Sequence, residues 1–349
     1  MKGNAILFVA LHNFFHSSHL TEFVRENENT FDVQKTLDYF NVLKSFELSD
    51  IGQFFSFLGW IGVVVFMFIS GYGLVKKYEG NGNQLKAGKY IFYSWKKLAV
   101  LLLMGVVYFV IIAVATGSGK IVIPRSLLQL TLLNNLLMPR LSIDPGVYWY
   151  FGLAFEFYLL YLLVRRWSAR SLMIGAGCLL LIQIAAIIVW GPESEPWSWL
   201  RHNFMGWGQV FLTGMAVAKS NFEKHLPTKT LPLFLLAGLC LVSLPFLFLN
   251  VWTWFLIVPF VAVMFFVFLA GGVNNTKILK RIGLWLGKYS AFIFVVHPIV
   301  RSMIIILNKR VSLELWQMTA IYIFAVILGA FIYKPLYKWL MSIKMKPVS

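Results

Sequence analysis

The sequence predicts an all-α, polytopic membrane protein of about ten transmembrane helices with both termini cytoplasmic, and three observations predict it. Hydrophobic residues make up 59% of the chain and charged ones only 13%, a balance that a soluble globule with a large core does not reach. Apolar runs recur at 4–20, 51–75, 98–116, 147–164, 172–190, 204–218, 231–249, 251–270, 289–307 and 317–333, with lengths suited to crossing a bilayer. With the N-terminus inside, most of the 31 basic residues fall in the inner connections, so the positive-inside rule is met. The formal net charge of +17 would suggest a nucleic-acid partner in a soluble protein; here the loop asymmetry accounts for it and no such partner is expected. Residues 1–340 read as one transmembrane domain and 341–349 as a cytoplasmic tail. Cys178 and Cys240 both lie inside apolar runs, so no disulfide framework is implied.

The first run carries His12, His16 and His19, half of the chain's six histidines. Positions i, i+4 and i+7 share one helix face, so the three form an imidazole stripe, with His12 about 15 Å into the membrane at 1.5 Å per residue. Ionisable groups at that depth mark a working site by default. A lone intramembrane histidine that only bonds a neighbouring helix is the simpler reading, but three on one face exceed it. His-x-x-x-His is also metal-ligand spacing, yet only His19 stands near as a third ligand and the cysteines are distant, so no metal is expected. The run has no small-x-small cleavage site after it and is expected to be retained.

The outer loop that follows is acidic, and Val33, Leu37, Phe40 and Leu43 recur at helical spacing, which predicts a short amphipathic helix with those residues on its apolar face. The second run ends in Phe66-Met-Phe-Ile-Ser70-Gly71-Tyr-Gly73, small residues that permit close helix approach, beside Lys76 and Lys77. Gly80-Asn-Gly-Asn then makes an inner turn, and Lys96 and Lys97 open the third run. Residues 127–138 are too short and too polar for a span, with Gln129, Asn134 and Asn135 inside them, and read as an interfacial or re-entrant piece.

The fourth run holds Glu156, the one carboxylate deep in an apolar stretch, at roughly the depth of His12. Trp197, Trp199 and Arg201 sit before the sixth run as interfacial residues, with Arg201 a possible contact for an anionic ligand. His225 reads as solvated. The ninth run carries His297-Pro298 and, one turn on, Arg301; the proline is expected to loosen the helix beside a cavity. His12, Glu156, His297 and Arg301 thus converge in depth from three helices.

These motifs, in this order, resemble the acyltransferase family 3 membrane proteins over nearly the whole chain. Lys2 and His12 are similar to the basic residue and histidine of the family's first span, with nine residues between them where an arginine and ten are commoner. Phe66 to Gly73 resembles its phenylalanine-rich Ser-Gly pattern, Lys96-Lys97 its basic pair, and Trp149, Glu156, Phe157 and Tyr158 its Trp, polar position and Phe-Tyr pair. Leu286, Gly287, Lys288, Ser290, His297 and Pro298 resemble its Leu-Gly-Lys-x-Ser and His-Pro run. The resemblance implies about ten helices and transfer of acyl groups onto surface carbohydrates. Many members add a soluble esterase-like domain, which is not expected here.

The expected activity is therefore an O-acyltransferase, first an O-acetyltransferase, of a bacterial inner membrane. Its donor would be cytoplasmic acetyl-CoA or another acyl-CoA, with no metal, and its acceptor a hydroxyl of a surface glycan or lipid-linked saccharide at the outer face. His12 would be the base, since imidazole titrates near neutrality, with Glu156 orienting it or balancing its charge and His16 beside it. A covalent acyl-His12 is the alternative route. Lys76, Lys77, Lys96, Lys97 and Lys288 would attract the polyanionic CoA, and Ser70, His297 and Arg301 would line its path. The rival reading is a transporter or flippase of an anionic lipid-linked sugar or small solute.

Overall fold

The computed structural model describes residues 1–17, 19–25, 29–43, 50–79, 85–137, 146–220, 222 and 226–343, and every regular element among them is a helix. In chain order these are α1 Lys2–Phe15, α2 Val33–Val42, α3 Asp50–Leu58, α4 Ile61–Tyr78, α5 Ala87–Ala115, α6 Gly119–Leu130, α7 Asn134–Leu137 and α8 Trp149–Val164, the last entered through a 3-10 turn at Gly146–Tyr148. Then follow α9 Ala169–Trp190, α10 Glu195–Arg201, α11 Phe204–Ser220, α12 Thr230–Leu247, α13 Val251–Leu256, α14 Val258–Asn274, α15 Lys277–Val311 and α16 Leu315–Ser342.

Each of the ten apolar runs carries a helix. Seven helices among the described residues are long and apolar enough to cross a membrane: α4, α5, α8 with its entry turn, α9, α12, α15 and α16. The remaining runs form α1, α11 and α14, of 14, 17 and 17 residues. Leu163, Ile188 and Val189 are 77, 70 and 72% exposed, as side chains facing lipid hydrocarbon are when only protein atoms surround them.

Four expectations change. The run 51–75 is two helices, α3 and α4, interrupted at Gly59 and Trp60, where Gly59 lies against His12 and Phe8 of α1 with no room for a Cβ. α1 ends at Phe15 with His16 as its C-cap, so the imidazole stripe stops at two and His19 is exposed in the turn beyond. α2 exists, but it buries Thr36 and Tyr39, while Val33 and Leu37 are exposed. The stacking of Tyr39 on Phe57, with centroids 4.2 Å apart, and the Thr36 hydroxyl donating to the Phe248 carbonyl outweigh the aliphatic stripe. Arg201 is wholly enclosed, its guanidinium 3.6 Å from the Trp207 ring centroid and 5.1 Å from that of Trp254, so it is buried among aromatic rings and not at the surface of the fold.

α15 runs unbroken through Pro298 from Lys277 to Val311. The turn at 80–83, His225, most of the 341–349 tail and part of the acidic outer loop lie outside the described residues.

The chain divides into two units, Met1–Leu85 with Leu159–Lys288, and Lys86–Tyr158 with Tyr289–Ser349. In the first, α4 and α11 cross where Gly71 faces the Phe211 carbonyl and Gly214 faces the Phe68 carbonyl, each glycine leaving no room for a Cβ. α1 lies against α3 and α4, and Phe8 meets Phe265 and Phe266 of α14 edge-on or tilted. In the second, Gly105 of α5 admits the Tyr148 ring, whose hydroxyl donates to the Val295 carbonyl on α15, and Gly329 of α16 abuts Val296.

Candidate active site

The site in the first unit is built by the break that the sequence reading missed. α3 stops at Leu58, and its last carbonyls can take further donors, that of Phe55 accepting also from the Gly59 N–H at 3.0 Å. Two of those carbonyls take imidazoles from α1. His12 Nδ1 donates to the Phe55 carbonyl at 3.1 Å, and His16 Nδ1 lies 3.3 Å from the Ser56 carbonyl. Because i and i+4 share a helix face, the two rings stand together, centroids 4.6 Å apart, against consecutive carbonyls of one helix end.

The approach depends on small residues. A Cβ at Gly59 would lie 2.5 Å from His12 Cβ, and one at Gly62 would lie 2.6 Å from the Ala5 carbonyl. His12 is buried, at 8% exposure, and Asn13 beside it donates to the Val9 carbonyl.

A carbonyl can only accept, so the His12 proton sits on Nδ1 and the lone pair on Nε2. That is the tautomer of a general base. The partner on Nδ1 is the Phe55 backbone carbonyl. The carbonyl end of α3 lies against both rings.

The other sequence-derived residues fall into both units. In the first, Ser70 donates to the Phe66 carbonyl of its own helix at 2.7 Å. Lys76 stands over the Tyr72 ring and Lys77 over Tyr78, both lysines exposed at the end of α4. Lys288 and Lys2 line one cavity of about 320 Å³ with Gly3, Asn4, Gly283 and Gly287, where α1 begins against the first part of α15.

In the second unit Glu156 is buried on α8, at 3% exposure. Lys97 donates to the Tyr158 hydroxyl, and Lys96 donates to the Met341 and Ile343 carbonyls at the end of α16, which caps that helix. His297 is wholly buried, with Nδ1 donating to the Ile293 carbonyl at 3.1 Å. Arg301 follows it one turn later on the same helix and is half-buried.

The acceptors Phe55 and Ser56 could not be named from side-chain chemistry, since both act through the backbone. The signal that could have found them is Gly59-Trp60, a small residue in the middle of a 25-residue apolar run, opposite the histidine helix.

Compared with known proteins, residues 1–334 match a family described as an acyltransferase domain. No curated protein and no solved structure matches the chain.

Proposed function

The chain belongs to acyltransferase family 3, and from that premise we propose that this membrane acyltransferase takes its acyl group from cytoplasmic acyl-CoA, first acetyl-CoA. We assign the acceptor as a hydroxyl of a glycan or lipid-linked saccharide at the outer face of a bacterial inner membrane. The observation that carries this reading is the buried His12 ring, held by the Phe55 carbonyl in the tautomer that leaves a lone pair on Nε2.

In the proposed step, Nε2 takes the acceptor's hydroxyl proton as the oxygen attacks the thioester carbonyl. The C–O bond forms, the C–S bond breaks, and the proton passes from the imidazolium to the leaving CoA thiolate. Base catalysis of this kind contributes about 10²–10⁴ in rate. The α3 carbonyl end steadies the transient positive charge, and His16 adds a second imidazole at the same helix end.

For the donor, Lys288 and Lys2 around their shared cavity, with Lys76 and Lys77 at the end of α4, supply the positive charge that CoA phosphates require. Within the second unit, Lys97, Glu156, His297 and Arg301 are the residues whose replacement this reading expects to lower transfer. Ser70 and Lys96 donate to backbone carbonyls within the fold and are the weaker candidates.

The test is to add acetyl-CoA to purified protein in lipid nanodiscs and follow thermal stability and free thiol. Stabilisation with slow thiol release supports an acyl-CoA enzyme. Neither effect, in protein shown to be folded, would overturn the donor assignment and return the transporter reading.

A further inference from the structure

Residues 119–137 carry a cluster that the reaction above does not use. α6 turns its apolar side chains outward, Ile121 and Leu127 being mostly exposed, as an interfacial helix does, and turns amides inward. Gln129 and Asn134 are each 1% exposed. Among the described residues Gln129 is the one side chain with both its amide nitrogen and its amide oxygen buried and unpaired, and the Asn134 oxygen is unpaired as well.

The two residues flank one tight turn. Leu132, a non-glycine residue at φ 63°, reverses the chain between α6 and α7. Asn134 donates to the Asn135 oxygen, and Asn135 donates to the Trp149 carbonyl at 2.8 Å, which fixes the turn on the start of α8. A Cβ at Gly152 would lie 2.9 Å from the Asn135 nitrogen and 3.2 Å from the Asn134 oxygen, so that glycine lets both amides pack closely against α8.

One donor group and two acceptor oxygens, all neutral, are left without partners on a rigid turn. Buried amides are almost always paired, so unpaired ones call for an explanation, and a bound partner is one. The unpaired atoms call for a ligand that both donates and accepts without charge, which is the chemistry of sugar hydroxyls. Under the positive-inside topology this segment also lies on the outer side, where the acceptor would arrive. We propose that Gln129 and Asn134 form a subsite that hydrogen-bonds the hydroxyls of the saccharide acceptor. The proposal rests on the acyltransferase reading and adds the place where the acceptor is held.

The experiment uses the full chain in lipid nanodiscs with acetyl-CoA and three probes: methyl α-glucoside, methyl α-galactoside and the methyl glycoside of N-acetylglucosamine. Thiol release and melting temperature are followed for the wild type, Gln129→Leu and Asn134→Leu. At least one glycoside is expected to accelerate thiol release by the wild type. Both variants are expected to keep glycoside-independent release within about twofold and to raise the glycoside KM at least about tenfold, since each loses hydrogen bonds to the ligand, Asn134→Leu giving up in addition its bond to the Asn135 oxygen. Gln129→Leu should also hold or raise the melting temperature, because it replaces a buried unpaired amide with an apolar group of similar size.

Wild-type glycoside KM in both variants, or a lowered melting temperature in Gln129→Leu, would overturn the subsite and leave the amides a structural role. Thiol release that none of the glycosides accelerates would overturn the saccharide assignment while the donor reading stands. Absence of any thiol release would take down the acyltransferase reading and the subsite with it.

Discussion

Gly59→Ala tests how His12 is held without touching a reacting group. An ideal Cβ at Gly59 would lie 2.5 Å from His12 Cβ, 2.6 Å from the Phe55 carbonyl oxygen and 2.9 Å from the Phe8 carbonyl oxygen. Carbon atoms in contact rest at about 3.5–4.0 Å, so α1 has to retreat by about 1 Å at the level of His12. That retreat stretches the bond from Nδ1 to Phe55, now 3.1 Å, beyond useful length. A misplacement of about 1 Å at a catalytic group costs about 10²-fold, so the rate of acetyl transfer should fall by about that factor. Overpacking adds about 1–3 kcal/mol of destabilisation, which a denaturation curve in detergent reads separately. Stabilisation by acetyl-CoA should persist, because the donor lysines are elsewhere. The control is Gly73→Ala, where a Cβ meets nothing within 4 Å, so the rate should not move and stability should hold or rise by up to about 1 kcal/mol. A folded Gly59→Ala protein with wild-type turnover would refute the argument that the α1–α3 contact sets the base.

Three further outcomes are expected. Gly71→Ala drives a Cβ into the Phe211 carbonyl at the α4–α11 crossing and should cost about 3 kcal/mol, at the upper end for overpacking, measured as a lowered denaturation midpoint. Lys288→Ala should raise the acetyl-CoA KM about tenfold, the loss of one charge-assisted hydrogen bond, and weaken its salt dependence while leaving kcat nearly unchanged. His202 lies outside the spans, its Nδ1 bonded to the Ser198 carbonyl, and burial, aided by Arg201, holds its pKa below the usual 6.5. The unfolded chain therefore binds this proton more readily, so stability from this residue is present above pH 6.5 and lost on acidification below it. His202→Gln should flatten the melting-temperature slope between about pH 7 and 5, and an unchanged slope would count against burial as the cause.

The helical runs were legible because a bilayer forces every backbone group to pair within its own segment, so length and hydropathy nearly suffice. Where helices leave the hydrocarbon the same signal fails. α5 begins at Ala87, well before the apolar run at 98, through Lys89, Tyr90 and the Lys96-Lys97 pair, and α15 begins at Lys277 rather than near 289. Neither extension is apolar. The face of α2 was misread because aromatic stacking of Tyr39 on Phe57 is a tertiary contact, invisible to a periodicity of aliphatic residues.

For the site, His12 and His16 could be paired from their spacing alone, since α-helical geometry dictates it. Their acceptors could not, because Phe55 and Ser56 serve through the backbone at a helix end that packs against α1. That residues 127–137 form no helix long enough to cross a membrane was readable from their length and their amides. That Gln129 and Asn134 are buried without partners required coordinates, as pairing is a property of neighbours rather than of residues.

The central claim is that His12 Nε2 is the base, and His12→Asn addresses it most directly. Asparagine keeps an N–H donor near the Phe55 carbonyl but offers no imidazole lone pair. The variant protein should remain folded and still be stabilised by acetyl-CoA, while acceptor-dependent thiol release falls by about 10²–10⁴. Folded His12→Asn protein that transfers acetyl groups at the wild-type rate would contradict the account.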